Sequence, residues 1–260
     1  MIPKVCILKS DGTNCDVELA YAFDKFGAKS QFVHVNQLRN KSKKLKDFQV
    51  LALPGGFSYG DDIASGKVLA IELLSFLKEE LQNFVDKKGI VIGICNGFQT
   101  LIRTGLLPFD HLGKMEATLT NNSSGHFECR WVKMKLQKGK FPWIKKEEII
   151  DIAVNHGEGK FFAPDQVIRK IKDENLVFAR YVNEKGEPTQ LYPQNPNNAQ
   201  NAIAGISNVT GRIIGLMPHP EKFVDITQHP NWRRQSASWR ISKPHGAIIF
   251  ENLIQLAKSS

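Results

Sequence analysis

The sequence predicts an α/β fold, a mainly parallel central sheet covered on both faces by helices, with an antiparallel extension. Short runs rich in Val, Ile and Leu alternate with longer amphipathic segments over the first hundred residues, as buried parallel strands and crossover helices do. After Gly105 the alternation weakens into strand-like segments with no long helices between them, the mark of added antiparallel strands. The length of 260 residues, at 42% hydrophobic and 23% charged, suits one large α/β domain with insertions and excludes disordered or disulfide-scaffold classes.

Taken in order, strands are expected near Val5–Leu8, Ser30–Val35, Val50–Leu53 and Ile90–Ile94, and helices near Cys15–Phe26, Lys67–Lys87 and Gly97–Thr104. In the second of these helices Val68, Ile71, Leu74, Leu77, Leu81 and Phe84 recur every three or four residues, which predicts a buried stripe. Further strands are expected near Phe127–Leu136, Ile149–Asn155, Leu176–Tyr181, Ala202–Ser207 and Ile213–Met217, then a closing helix over Ala247–Ala257. Residues 137–148, 194–201 and 228–244 carry the polar and turn-forming composition of loops. No linker or charge block divides the chain, so a single domain over 1–260 is expected.

Thirty-five basic against 26 acidic residues give +9, which raises nucleic acid as a partner. The excess is spread, however, with 16 basic and 14 acidic residues in 1–130 and 19 and 12 in 131–260. The densest cluster, Leu38–Lys46, has five basic residues and no interleaved aromatics, as a solvated face does. Neither nucleic acid nor membrane is therefore expected as a partner. No apolar run approaches the roughly 18 residues of a membrane span, and the N-terminus lacks a secretory apolar region, so a cytoplasmic place is expected. The cysteines at 6, 15, 95 and 129 form no CxxC pair, and the seven histidines add no metal-ligand spacing, so no metal is expected. Cys6 and Cys129, in strand patterns, read as packing residues, whereas Cys15 opens a helix and has no such explanation.

Gly89-Ile-Val-Ile-Gly-Ile-Cys-Asn-Gly-Phe-Gln99 reads as a buried strand, a sharp turn and a helix. A nucleophile at such an elbow stands above the sheet edge, and Gly93 and Gly97, two positions either side of Cys95, remove side chains that would collide. The helix start also brings oriented backbone N–H groups beside the sulfur. A base is offered by Gly215-Leu-Met-Pro-His-Pro-Glu-Lys222, where flanking prolines restrain His219 and Glu221 can accept its second ring N–H. Leu51-Ala-Leu-Pro-Gly-Gly-Phe57 ends a strand in a glycine pair, so the Gly56 N–H, with that of Asn96, could hold an oxyanion. His156, in Val154-Asn-His-Gly-Glu-Gly-Lys160, reads as ligand-contacting rather than catalytic.

These motifs together resemble the class I (triad) glutamine amidotransferases, whose fold is a flavodoxin-like α/β/α sandwich. Asp11-Gly-Thr-Asn-Cys-Asp16, Pro54-Gly-Gly-Phe-Ser-Tyr-Gly-Asp-Asp62 and Asn195-Pro-Asn with Ile203-Ala-Gly-Ile206 narrow the likeness to the glutaminase subunits of phosphoribosylformylglycinamidine synthases. The resemblance spans roughly residues 4–255. It implies that Cys95 attacks the side-chain amide of L-glutamine to form a thioester, with His219 relaying protons and Glu221 orienting it. It further implies an oxyanion hole at Gly56 and Asn96, and glutamine held by Gln99 and the backbone around His156 and Gly157. No cofactor is implied on this chain. The ammonia would pass to a large synthetase subunit that uses ATP and Mg²⁺, and a small third subunit is implied, in a step of purine synthesis. Lys9-Ser10 departs from the apolar residue and proline expected before the N-terminal motif, and the polar loops 137–148 and 228–244 add length. Two alternatives remain open: the glutaminase of another amidotransferase, and a non-catalytic basic binding module on the same fold.

Overall fold

The structure is a computed structural model that describes residues 1–138, 141, 144, 146–234 and 243–259. Its first half runs β1 (Lys4–Lys9), α1 (Asp16–Lys25), β2 (Lys29–His34), α2 (Val35–Arg39), β3 (Val50–Leu53), α3 (Lys67–Phe76), α4 (Lys78–Asp86), β4 (Ile90–Ile94) and α5 (Asn96–Thr104). Its second half runs β5 (Thr118–Thr120), β6 (Glu128–Leu136), β7 (Glu148–His156), β8 (Lys160–Phe162), α6 (Asp165–Asp173), β9 (Val177–Tyr181), β10 (Ile203–Ser207), β11 (Ile213–Leu216) and α7 (Ala247–Lys258).

Nine strands form one sheet in the order β2-β1-β3-β4-β11-β10-β9-β6-β7, and β5 pairs separately with β8. The neighbours from β2 to β11 are parallel, whereas β11-β10, β10-β9, β9-β6 and β6-β7 are antiparallel. β3, β4, β10 and β11 are buried at every residue, which explains why β3, β4 and β11 read as unbroken apolar runs and β10 is apolar up to Ser207. The chain leaves β1 toward β2 in one direction and leaves β3 toward β4 in the other. Right-handed crossovers therefore put α1 on one face and α3 with α5 on the opposite face. α7 closes on α1, where the Phe23 and Phe250 rings meet edge to face at 5.1 Å.

Register decides where the site stands. Leu53 lies opposite Gly93, and Ile94 opposite Leu216, so β3, β4 and β11 end level with one another. The three segments that follow, at Pro54, Cys95 and Met217, thus emerge along one edge, beside the point where connections reverse direction.

Several local expectations are corrected. The helix expected over 67–87 is two, broken at Leu77, whose φ of −125° is not helical. The buried side of α3 is Leu69, Ala70 and Leu73, while Ile71 is 51% exposed, because apolar residues almost encircle this helix and their spacing does not select a face. Cys129 is exposed rather than packed. α2, α6 and the β5-β8 pair have patterns too short for periodicity to register. Of the polar loops, residues 139, 140, 142, 143, 145 and 235–242 lie outside the described residues.

Candidate active site

The β4-α5 junction turns on Cys95, whose φ of 52° and ψ of −107° are unusual for a residue with a side chain. Such conformations cost roughly 1–3 kcal/mol and persist only where the surroundings over-determine them. Here the Cys95 N–H donates to Leu216 O at 2.8 Å, tying the elbow to the neighbouring strand. A Cβ on Gly97 would lie 2.0 Å from Leu53 O, and one on Gly93 2.6 Å from Gly97 C, so the turn closes only with both positions bare. The Cys95 Sγ contacts Asn155 O at 3.4 Å.

His219 follows β11, and its N–H donates to Ala153 O at 2.8 Å, fixing the backbone beneath the ring. Its Nδ1 donates to Glu221 Oε1 at 2.5 Å, and both side chains are buried. Burial alone would strip the imidazole of charge, but the Glu221 carboxylate and the Cys95 sulfur outweigh it and hold the proton affinity well above the ordinary histidine value. Nε2 is left facing the cysteine side of the cleft.

The glycine loop after β3 is clamped by the segment before α1: Phe57 N donates to Gly12 O at 3.0 Å, and Cys15 N to Gly55 O at 3.2 Å. That segment is itself pinned by Lys9, paired with Asp16 at 2.5 Å, and by Ser10, whose N–H donates to Thr13 Oγ1 at 3.1 Å. Gly56 has a φ of +132°, and a Cβ there would lie 2.6 Å from Asn14 N. Among the described residues neither the Gly56 nor the Asn96 backbone N–H donates to a protein acceptor, which leaves both able to meet a ligand.

A cleft of about 200 Å³ gathers Cys95, His219, Gly56, Gln99, His156 and Gly157, with Phe57 and Phe127 stacked at its rim. Asn96 and Glu221 stand behind this lining.

Residues 2–256 match the model of the CobB/CobQ-like glutamine amidotransferase domain. The phosphoribosylformylglycinamidine synthase subunit PurQ of Dehalococcoides mccartyi is 41% identical over 258 residues, covering 98% of each chain. That of Methanococcus maripaludis is 36% identical over 266 residues, covering 100% of this chain and 97% of its own. This chain belongs to the PurQ family of glutamine amidotransferases. Among solved structures, a chain of PurLQS from Thermotoga maritima superposes with a TM-score of 0.73 at 29% identity, covering 98% of this chain and 99% of the other. The glutaminase domain of Trypanosoma brucei CTPS shares the fold, with a TM-score of 0.58 at 10% identity.

In this amidotransferase the floor of the cleft is a polar network that ties together groups from three of the sequence motifs. The Asn96 side chain accepts from Ser58 Oγ at 2.6 Å and donates to Asp61 Oδ1 at 2.7 Å and to Gln99 Oε1 at 3.1 Å. Gln99 Nε2 donates to Glu158 O at 2.6 Å, so the Gln99 amide is engaged by the protein at both ends. Burial raises the Asp61 carboxyl against the bonds from Ser65 and Asn96 that lower it. Behind this, His156 donates from Nδ1 to Asn122 Oδ1 at 3.1 Å and meets Asn197 Nδ2 with Nε2 at 3.5 Å. Burial, with His219 as a second cause, lowers its pKa to about 3, so the ring is a neutral strut. Asn197 lies in the Asn195-Pro-Asn motif; Asn122 carries no sequence signal, because only the tertiary approach of the segment after β5 brings it there.

Proposed function

We propose that this chain is the glutaminase subunit of a phosphoribosylformylglycinamidine synthase, a single amidotransferase domain over residues 1–260. The observation that carries the reading is a strained Cys95 and the buried His219–Glu221 pair on one cleft, in a chain 41% identical to a PurQ subunit. Cys95 passes its thiol proton to His219 Nε2 and its Sγ attacks Cδ of glutamine, and the C=O electrons move to an oxyanion held by the Gly56 and Asn96 N–H groups. His219 gives its proton to the departing nitrogen, the C–N bond breaks, and ammonia leaves a glutamyl thioester. Water then loses a proton to His219, adds to the thioester carbon and releases glutamate with the thiol. Gln99, His156 and Gly157 shape the glutamine end of the cleft, where Gln99 Nε2 holds Glu158 O and Asn122 Nδ2, itself bonded through Oδ1 to the His156 ring, holds His156 O.

Ammonia is consumed by a large synthetase subunit, PurL, which uses ATP and Mg²⁺ to make formylglycinamidine ribonucleotide, and a small PurS-type subunit completes the assembly in de novo purine biosynthesis. The solved PurLQS assembly supports a docked arrangement. This work belongs in the cytoplasm, where the nucleotide substrates are; among the described residues no helix is long and apolar enough to cross a membrane. Mixing the chain with the synthetase and measuring glutamine-dependent amidine formation tests the proposal. A competent synthetase that responds to free ammonia but never to glutamine plus this chain would refute it.

A further inference from the structure

One thiol in the cleft forms and breaks no bond in the chemistry above, although it helps to raise the proton affinity of His219. Cys15 is buried where α1 begins, and its N–H bond to Gly55 O holds it against the glycine loop. A Cβ placed on Gly55 would lie 2.8 Å from His219 Cε1, 3.4 Å from Cys15 Sγ and 3.4 Å from Cys95 Cβ, so two cysteines and one imidazole converge around a single bare position. Ligand atoms of Cys15, His219 and Glu221 all lie within 4.8 Å of one another, and the Cys95 side chain, which is outside that group, also interacts with His219. His219 Nδ1 is engaged by Glu221, whereas Nε2 is buried and has no partner at hydrogen-bonding geometry among the described residues. It is an unsatisfied nitrogen beside two sulfurs.

We propose that Cys15, Cys95 and His219 form a sulfur–imidazole site for a soft divalent cation of the Zn²⁺ class, which occupies the cleft in place of glutamine. Two thiolates and one neutral imidazole are a favoured donor set for zinc, at about 2.3 Å for sulfur and about 2.0 Å for nitrogen, and the fourth position faces the open cleft. The Glu221 carboxylate on Nδ1 is the outer partner that a metal-binding histidine commonly has, since it fixes the ring and strengthens Nε2 as a donor. Binding releases the protons carried by the two sulfurs and Nε2 to solvent, so affinity falls as pH falls. The three ligands are far apart in the chain, which is why spacing along the sequence suggested no metal. Cys6 does not compete: it is fully buried in β1, and burial pushes its thiol up to about 12.

The binding rests on donor geometry alone; that a bound cation stops turnover rests on the role proposed for Cys95. The test is a Co²⁺ titration of the full chain carrying Cys129→Ser, which removes the exposed thiol, followed by the sulfur-to-cobalt charge-transfer absorption. One Co²⁺ per chain, displaced by Zn²⁺, is expected, with affinity at least tenfold weaker in Cys15→Ser on the same background. An unchanged affinity in Cys15→Ser, or a Co²⁺ spectrum without the sulfur band, overturns the site. Should Cys15→Ser fail to fold by circular dichroism, protein alkylated at Cys95 with iodoacetamide decides. Loss of the band supports the site, and its persistence overturns it. Separately, Zn²⁺ should raise the apparent KM for glutamine at least tenfold, reversibly with chelator. Cobalt binding without that inhibition would overturn the displacement of glutamine and leave only the metal ligation standing.

Discussion

His219 donates through Nδ1 to Glu221 at 2.5 Å, and neither side chain reaches solvent. The carboxylate therefore selects the tautomer and stabilises the imidazolium, which under the proposed mechanism accompanies attack by Cys95. Glu221→Gln keeps the shape but offers a weaker, neutral acceptor. Its kcat for glutamine hydrolysis in the assembled complex should fall by roughly 10²–10⁴ with little change in KM. Steady-state kinetics check this; an equal change in KM alone would assign Glu221 to substrate binding instead. Cys95→Ala should abolish hydrolysis.

Gly56→Ala places a methyl group 2.6 Å from Asn14 N at a backbone angle that L side chains rarely adopt. The loop must shift, and the Gly56 N–H moves off the oxyanion position. The expected loss is about 10²–10³ in kcat, the usual effect of removing one oxyanion donor. A variant that keeps wild-type kcat would show that the second donor lies elsewhere.

His156 makes stability depend on pH. Below about pH 6.5 the unfolded chain takes up a proton at this position that the folded chain refuses until about pH 3, so acid favours unfolding. Between pH 7 and pH 5 this position should account for a loss of about 2 kcal/mol. His219 acts in the opposite sense, because its folded-state proton affinity is raised: its contribution is full below pH 6.5 and lost only as pH rises through its elevated value. His229 and His245 share the lowering by burial, so the comparison must be between wild type and His156→Gln. Urea unfolding of both at pH 7 and pH 5 should show a shallower decline in the variant.

Phe98 is wholly buried in α5, stacks on Phe161 with centroids 6.4 Å apart, and fills the space left by Gly215 beneath it. Phe98→Ala should lower stability by about 3–5 kcal/mol, as emptied aromatic sites in cores do. Because Phe98 lies three residues beyond Cys95, in the helix that Cys95 precedes, activity per folded molecule should fall as well. Chemical denaturation and titration of active sites separate the two effects.

The core strands and the elbow were legible in the chain because both depend on local rules. β3 and β4 are apolar runs of strand length, and a nucleophile between glycines at a strand end needs only a few residues to be recognised. His219 and Glu221 are two positions apart, so their contact also lay within one short motif. The buried face of α3 was not legible, since Val68, Ile71 and Leu74 are as apolar as Leu69 and Leu73 and only the neighbouring helices choose between them. The basic excess gave no lead to the site either: Lys41, Lys44, Lys46, Lys87 and Lys88 surround a groove at the N-terminal ends of β3 and β4, away from the catalytic edge.

Residue pattern was thus sufficient for the fold class and for placing the Cys95 elbow, the His219–Glu221 pair and the glycine loop at strand ends, because each is specified over ten residues or fewer. Register and packing decided the rest. Alignment of Leu53 with Gly93, and of Ile94 with Leu216, levels three strand ends, so that segments more than a hundred residues apart share one cleft. The same convergence brings Asn122 to His156 and Cys15 to His219, contacts between positions whose separation along the chain carries no signal of their proximity.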